Sequence, residues 1–127
     1  MQNYFIVALG AAFGGALRYW MSGAVQNIFP SVFPYGTLSV NILGSFILGF
    51  SIFFFDAREL ISPELKIFLT IGFCGGFTTF STFSFETINL LRDSEYLFAI
   101  MNMGLNLFLT LFSVILAYYL SKVLSGG

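Results

Sequence analysis

The chain is 127 residues long, with 57% hydrophobic, 20% aromatic and 9% charged residues and a formal net charge of −1. Soluble domains carry about 25% charged residues, and a domain this small buries only about two-thirds of the surface it would otherwise expose, so this composition excludes a soluble enzyme, a disordered tail and a nucleic-acid binder. No His is present and Cys74 is the one cysteine, which excludes imidazole chemistry, a thiolate metal cage and an intrachain disulfide.

A helix needs about 20 residues to cross a bilayer core of about 30 Å. Charges and prolines cut the chain into four such stretches, at residues 3–24, 35–55, 65–91 and 97–120, with breaks at 26–34, 56–64 and 92–96. Links this short make residues 1–127 a single transmembrane domain of four helices with antiparallel neighbours. The fold class is an all-α membrane protein, because the apolar runs are too long and continuous for the alternating strands of an outer-membrane barrel.

In the first span no Lys or Arg precedes the apolar run, and Arg18 falls inside it. The segment is therefore expected to stay as a helix and not to be removed as a signal peptide. Gly10 and Gly14 stand four apart and offer a small-residue face for close helix contact. Arg18 either snorkels outward or lines a vestibule that attracts anions.

On the second span Thr37, Asn41 and Ser45 recur every four residues and share one stripe. Asn41 is its strongest member, because an amide carries two donors and an acceptor. The stripe can bind a neighbouring helix or present donors to a polar path. Gly44 and Gly49 suit close packing.

The third span holds six hydroxyl residues between Thr78 and Thr87, and Phe77, Phe80 and Phe83 recur every third residue. Gly75-Gly76 is the expected break point of this helix. At about 40 Å if straight, the span exceeds what the bilayer requires. A broken helix exposes carbonyls and amides at mid-membrane, where they must meet protein, water or an ion. Unwound carbonyls can hold a small cation, and hydroxyls and half-helix N-termini an anion. The alternative is an unbroken hydroxyl-rich helix packed on its neighbours. Glu86 raises the question of proton coupling, with a salt bridge or capping role as the plainer reading. Cys74 reads as an inert thiol in apolar surroundings.

On the fourth span Asn102, Asn106, Thr110 and Ser113 fall within an arc of about 80°. They line a wet track or bind another helix. Arg58, Lys66 and Lys122 share one side of the membrane, against Arg92 and, if it reaches outward, Arg18. Such a balance leaves almost no positive-inside preference. The chain is thus compatible with inverted pairs in an antiparallel homodimer, or with one weakly preferred orientation.

The run Gly75-Gly76-Phe77-Thr78-Thr79-Phe80-Ser81-Thr82-Phe83-Ser84-Phe85-Glu86 closely resembles the signature of the Fluc (CrcB) fluoride channels. Gly14-Gly15-Ala16-Leu17-Arg18-Tyr19-Trp20 and Gly36-Thr37-Leu38-Ser39-Val40-Asn41 support it, and the four-span layout extends the resemblance over the whole chain. The resemblance implies an antiparallel, dual-topology homodimer in the bacterial plasma membrane, with the third helix broken near its centre. Such a dimer conducts fluoride passively through pores built from both subunits, so no enzymatic step is involved. It further implies a structural sodium ion (Na+) at the dimer centre, held by the carbonyls of Gly75 and Thr78. Phe80, Phe83 and Asn41 would line the pore, with the hydroxyls of Thr37, Ser81 and Ser84 as further lining groups. Arg18 would stand at the vestibule, and Asn102, Asn106 and Thr110 would form a polar track.

Elementary chemistry agrees with these assignments. A bare anion in a low-dielectric medium costs tens of kcal/mol by the Born estimate, so its water must be replaced by donors. An aromatic ring has a positive edge, a weak contact that suits conduction because it does not trap the ion. The alternative reading is a proton-coupled exporter of small cationic drugs, with Glu86 as its titrating carboxylate. Against it, Glu86 lies towards the end of its span and follows a hydroxyl-rich run unsuited to lipophilic cations.

Overall fold

The computed structural model describes residues 1–126 and contains four helical passes long and apolar enough to cross a membrane: Gln2–Ile28, Tyr35–Asp56, Pro63–Arg92 and Tyr96–Leu124. The first pass is helix α1, Gln2–Ile28. The second is α2, Tyr35–Phe50, continued by the π-helical turn Ser51–Asp56. The third is composite: α3, Pro63–Ile67, runs into a π-helical stretch, Phe68–Cys74, then α4, Gly75–Phe77, and α5, Phe80–Arg92. The fourth is α6, Tyr96–Leu124. Seven of the eight pass ends lie one to four residues beyond the predicted apolar runs, because regular hydrogen bonding continues into the residues that flank them.

Side chains tie the first two links. Gln26 donates through Nε2 to the Ser31 and Phe33 carbonyls, both at 3.0 Å, and its Oε1 accepts from Gly36 N at 3.0 Å. This holds the first link and seats the fully buried Phe33. In the second link Ser62 caps α3, its hydroxyl accepting from Leu65 N at 3.1 Å, with Pro63 in the first turn. Lys66 pairs with Asp56 at 3.1 Å. Arg58 reaches across two passes, donating to the Phe53, Phe54 and Ser121 carbonyls at 3.2, 3.1 and 3.1 Å. The π-helical turn leaves carbonyls that a membrane interface would otherwise strand, and one guanidinium claims two of them.

Packing follows the small residues. A Cβ on Gly10 would stand 2.6 Å from the Phe68 carbonyl oxygen, and one on Gly14 would overlap the Phe73 carbonyl. Gly76 answers from the other side, where a Cβ would stand 2.7 Å from the Ala11 carbonyl oxygen. The predicted small-residue face of α1 is therefore used, backbone against backbone, on the third pass. Phe33, Phe77, Val40 and Asn102 are the largest fully buried side chains. Phe13, Trp20, Phe108, Phe112 and Ile115 are exposed, as expected of side chains facing hydrocarbon.

Gly75-Gly76, the predicted break point, stays helical: Gly75 has φ −62° and ψ −37°. The non-helical residues come just after it. Thr78 has φ −93° and ψ 160°, and Thr79 φ −150° and ψ 121°. Both are ordinary extended conformations for any L-residue, so no glycine is needed there.

Candidate functional site

The extended pair Thr78–Thr79 releases backbone groups, and side chains from other passes take them. In a continuous helix the Thr79 N–H would bond the Gly75 carbonyl; here it donates to Asn41 Oδ1 at 2.8 Å. The Thr82 N–H would bond the Thr78 carbonyl, but it donates to the Thr79 hydroxyl at 3.1 Å, which makes Thr79 the N-cap of α5. Arg18 Nε donates to the Gly76 carbonyl at 2.9 Å, and Asn41 Nδ2 to the Thr79 carbonyl at 3.2 Å. The carbonyls of Gly75 and Thr78 are thereby left without their helical donors.

Those two residues lie in a groove of about 600 Å³ along one side of the bundle. Asn41, Phe80, Phe83, Asn106 and Thr110 line the same groove, and none of its lining residues is charged. Phe80 is 78% exposed and its ring centroid lies 5.3 Å from that of Phe83, the planes inclined at 50°. The α5 cap puts both rings in the first turn of that helix, beside the released carbonyls.

The polar side chains of α6 turn inward. Asn106 Nδ2 donates to both the backbone oxygen and Oδ1 of Asn102, at 2.9 and 3.0 Å. Asn106 Oδ1 accepts from Asn41 Nδ2 at 2.9 Å. Asn102 Nδ2 donates to the Thr87 hydroxyl at 2.9 Å, and Thr87 Oγ1 donates to the Phe83 carbonyl at 2.8 Å. Thr110 spends its hydroxyl on the Asn106 carbonyl of its own helix.

The structure thus brings Asn41, Phe80, Phe83, Asn106, Thr110, Gly75 and Thr78 to one groove. Thr37, Ser81, Ser84, Asn102 and Arg18 lie off its wall. Thr37 and Asn102 are buried, Ser81 is exposed and Ser84 half-buried, and Arg18 holds the Gly76 carbonyl. Glu86 is also off the wall, its Oε1 buried without a hydrogen-bond partner among the described residues. Two positions that tie the site together escaped the sequence reading. Thr79 carried a weak signal, a hydroxyl at the head of a stretch with Phe80 and Phe83 three apart, but so many hydroxyls follow it that the helix-start pattern does not single it out. Thr87 carried none, since its role depends on Asn102 from another helix.

No group of three or more His, Cys, Asp or Glu among the described residues could hold a metal ion. The Gly75 and Thr78 oxygens are neutral, hard donors, a set that fits an alkali cation and not a transition metal.

The family model described as "CrcB-like protein, Camphor Resistance (CrcB)" matches residues 5–118. A Geotalea daltonii protein named "Fluoride-specific ion channel FluC" is 48% identical over 102 residues, 80% of this chain and 82% of its own. A Geotalea uraniireducens protein of the same name is 49% identical over 102 residues, again 80% and 82% of the two chains. A Shewanella baltica protein of that name is 48% identical over 120 residues, 94% of this chain and 96% of its own.

Proposed function

The chain belongs to the CrcB-like protein family, and we propose that it is a multi-pass membrane channel that lets fluoride leave the cell down its electrochemical gradient. No bond is made or broken. Weak-acid HF enters, dissociates inside, and the trapped anion leaves through the protein. The observation that carries this reading is the uncharged groove, where the exposed Phe80 and the half-buried Phe83 stand beside Asn41 and released backbone. A fixed Lys or Arg there would hold a halide too tightly to conduct. Positive ring edges and one amide exchange a weak grip for a weak grip. Asn41 Nδ2 already serves Asn106 at 2.9 Å and the Thr79 carbonyl at 3.2 Å, and a passing anion competes for the longer bond.

The groove opens on the side of a single subunit, and a second copy in the opposite orientation completes it as a closed path at an antiparallel homodimer interface. Small charge asymmetry between the two ends supports inverted insertion. The Gly75 and Thr78 carbonyls of both copies would hold a central sodium ion. Bound there, the ion supplies positive charge that offsets the passing anion and saturates oxygens that protein donors do not reach. The hydroxyls of Ser81 and Ser84 are assigned to the approaches to the groove and Arg18 to its mouth, while the buried Thr37 is left without a place on the path. Thr110, like Asn106, lines the track towards the other end. The bacterial plasma membrane is the proposed location. The drug-exporter reading is not favoured, since Glu86 is off the groove wall and the matched relatives are named as fluoride channels.

The test is efflux from liposomes holding the purified protein, with fluoride or chloride inside and the potential set by a potassium ionophore. Fluoride efflux that follows the potential, with chloride retained, is the expected result. Silence towards fluoride, or equal chloride flux, overturns the proposal.

A further inference from the structure

One continuous line of side-chain hydrogen bonds joins the two ends of the working part of α5, and every donor in it points the same way. It runs from the Thr79 N–H to Asn41, from Asn41 to Asn106, from Asn106 to Asn102, from Asn102 to the Thr87 hydroxyl, and from Thr87 to the Phe83 carbonyl. Its polarity is set by backbone. The Asn102 carbonyl accepts only, so Asn106 must turn its NH2 inward; the Thr79 N–H donates only, so Asn41 must turn its oxygen towards it. Asn106 therefore faces the groove with no free donor: its NH2 serves Asn102 and its oxygen accepts from Asn41. Asn102 is fully buried and neither it nor Thr87 touches the groove.

We propose that Asn102 and Thr87 are positioning residues: acting through Asn106 and Asn41, they clamp α5 at Thr79 and at Thr87 and so hold the Phe80–Phe83 pair at the groove. On the proposed function this pair meets the anion, and the inference rests on that reading for its consequence in flux. The clamp itself is independent of which ion passes. Thr79 and Thr87 lie eight residues apart, two turns and about 12 Å along α5, with Phe80 and Phe83 between them. Losing the Thr87 acceptor leaves a buried Asn102 donor unpaired, and the strain is relieved by turning the amide, which unseats each neighbour in line.

Two readouts test this on the full chain. Fluoride efflux is measured for the wild type, Thr87→Val, Thr87→Ser and Asn102→Leu in liposomes. Backbone hydrogen exchange is followed in the same proteins over a peptide containing Thr79. Thr87→Val and Asn102→Leu are expected to slow efflux about tenfold, what one buried hydrogen bond is worth. Both should speed exchange at Thr79, although neither residue touches it. Thr87→Ser keeps the hydroxyl and is expected to restore both readouts. Wild-type flux with unchanged Thr79 exchange in Thr87→Val overturns the clamp, as does equal damage by Thr87→Ser, which would mark a packing role alone. If Thr87→Val does not purify as a monodisperse protein, Thr87→Cys, a weak acceptor of similar size, takes its place under the same criteria. A wild type silent to fluoride would sink the channel reading, while the exchange measurement still decides the clamp.

Discussion

Adjacent glycines in this chain have opposite duties. A methyl on Gly14 would run into the Phe73 carbonyl, whereas one on Gly15 meets nothing within 4 Å. The contact of Gly14 is with backbone, which cannot move aside without shifting the third pass. Gly14→Ala should therefore destabilise the purified protein by about 1–3 kcal/mol, the usual range for overpacking, and Gly15→Ala should leave its thermal unfolding in detergent near that of the wild type. Equal losses in the two variants would remove backbone contact as the reason for the glycine. The need for small residues at Gly10 and Gly14 was legible in their spacing. The direction in which polar residues face was not. Asn102, Asn106 and Thr110 share one arc by periodicity, but the arc does not say whether it meets a groove or another helix. Thr87 decides for Asn102, by offering a buried acceptor from α5, and no local pattern links residues fifteen apart on different passes.

Elements in this fold are ended and redirected by long-range side chains. Charges and prolines marked the four passes in the sequence, because the cost of burying them outweighs any local propensity. The π-helical stretches and the extended pair were hidden for a different reason. Composition pointed to Gly75-Gly76, yet the chain leaves the helix at Thr78–Thr79, where Asn41 from α2 captures the Thr79 N–H and Arg18 from α1 captures the Gly76 carbonyl. The π-helical end of the second pass depends in the same way on Arg58, whose guanidinium also covers the Phe54 ring at 4.5 Å. Lys cannot reproduce a fork that serves three carbonyls. Arg58→Lys should lower stability by about 1–3 kcal/mol, read as a drop in unfolding temperature, and should loosen hydrogen exchange over 53–58. A variant as stable as the wild type would reduce Arg58 to an interface charge.

For the whole molecule the decisive question is orientation. The even number of passes puts both termini of one copy on one face of the bilayer. Cys74 is 2% exposed, so a cysteine introduced at the exposed Ser125 gives a site-specific handle. With inverted pairs, a membrane-impermeant maleimide should label Ser125→Cys in sealed vesicles to about half of the level reached after permeabilisation. Labelling that is complete or nil before permeabilisation would refute paired inversion. The small charge difference was readable in the sequence; the groove was not, because it is assembled from three passes.

The two released carbonyls have one more consequence. A subunit without a counterpart would show the Gly75 and Thr78 oxygens to hydrocarbon, and bare polar groups there cost several kcal/mol each. On the proposed antiparallel pairing, the counterpart and the ion it helps to hold would relieve both oxygens at once, so the same two residues that would bind the ion would also reward assembly.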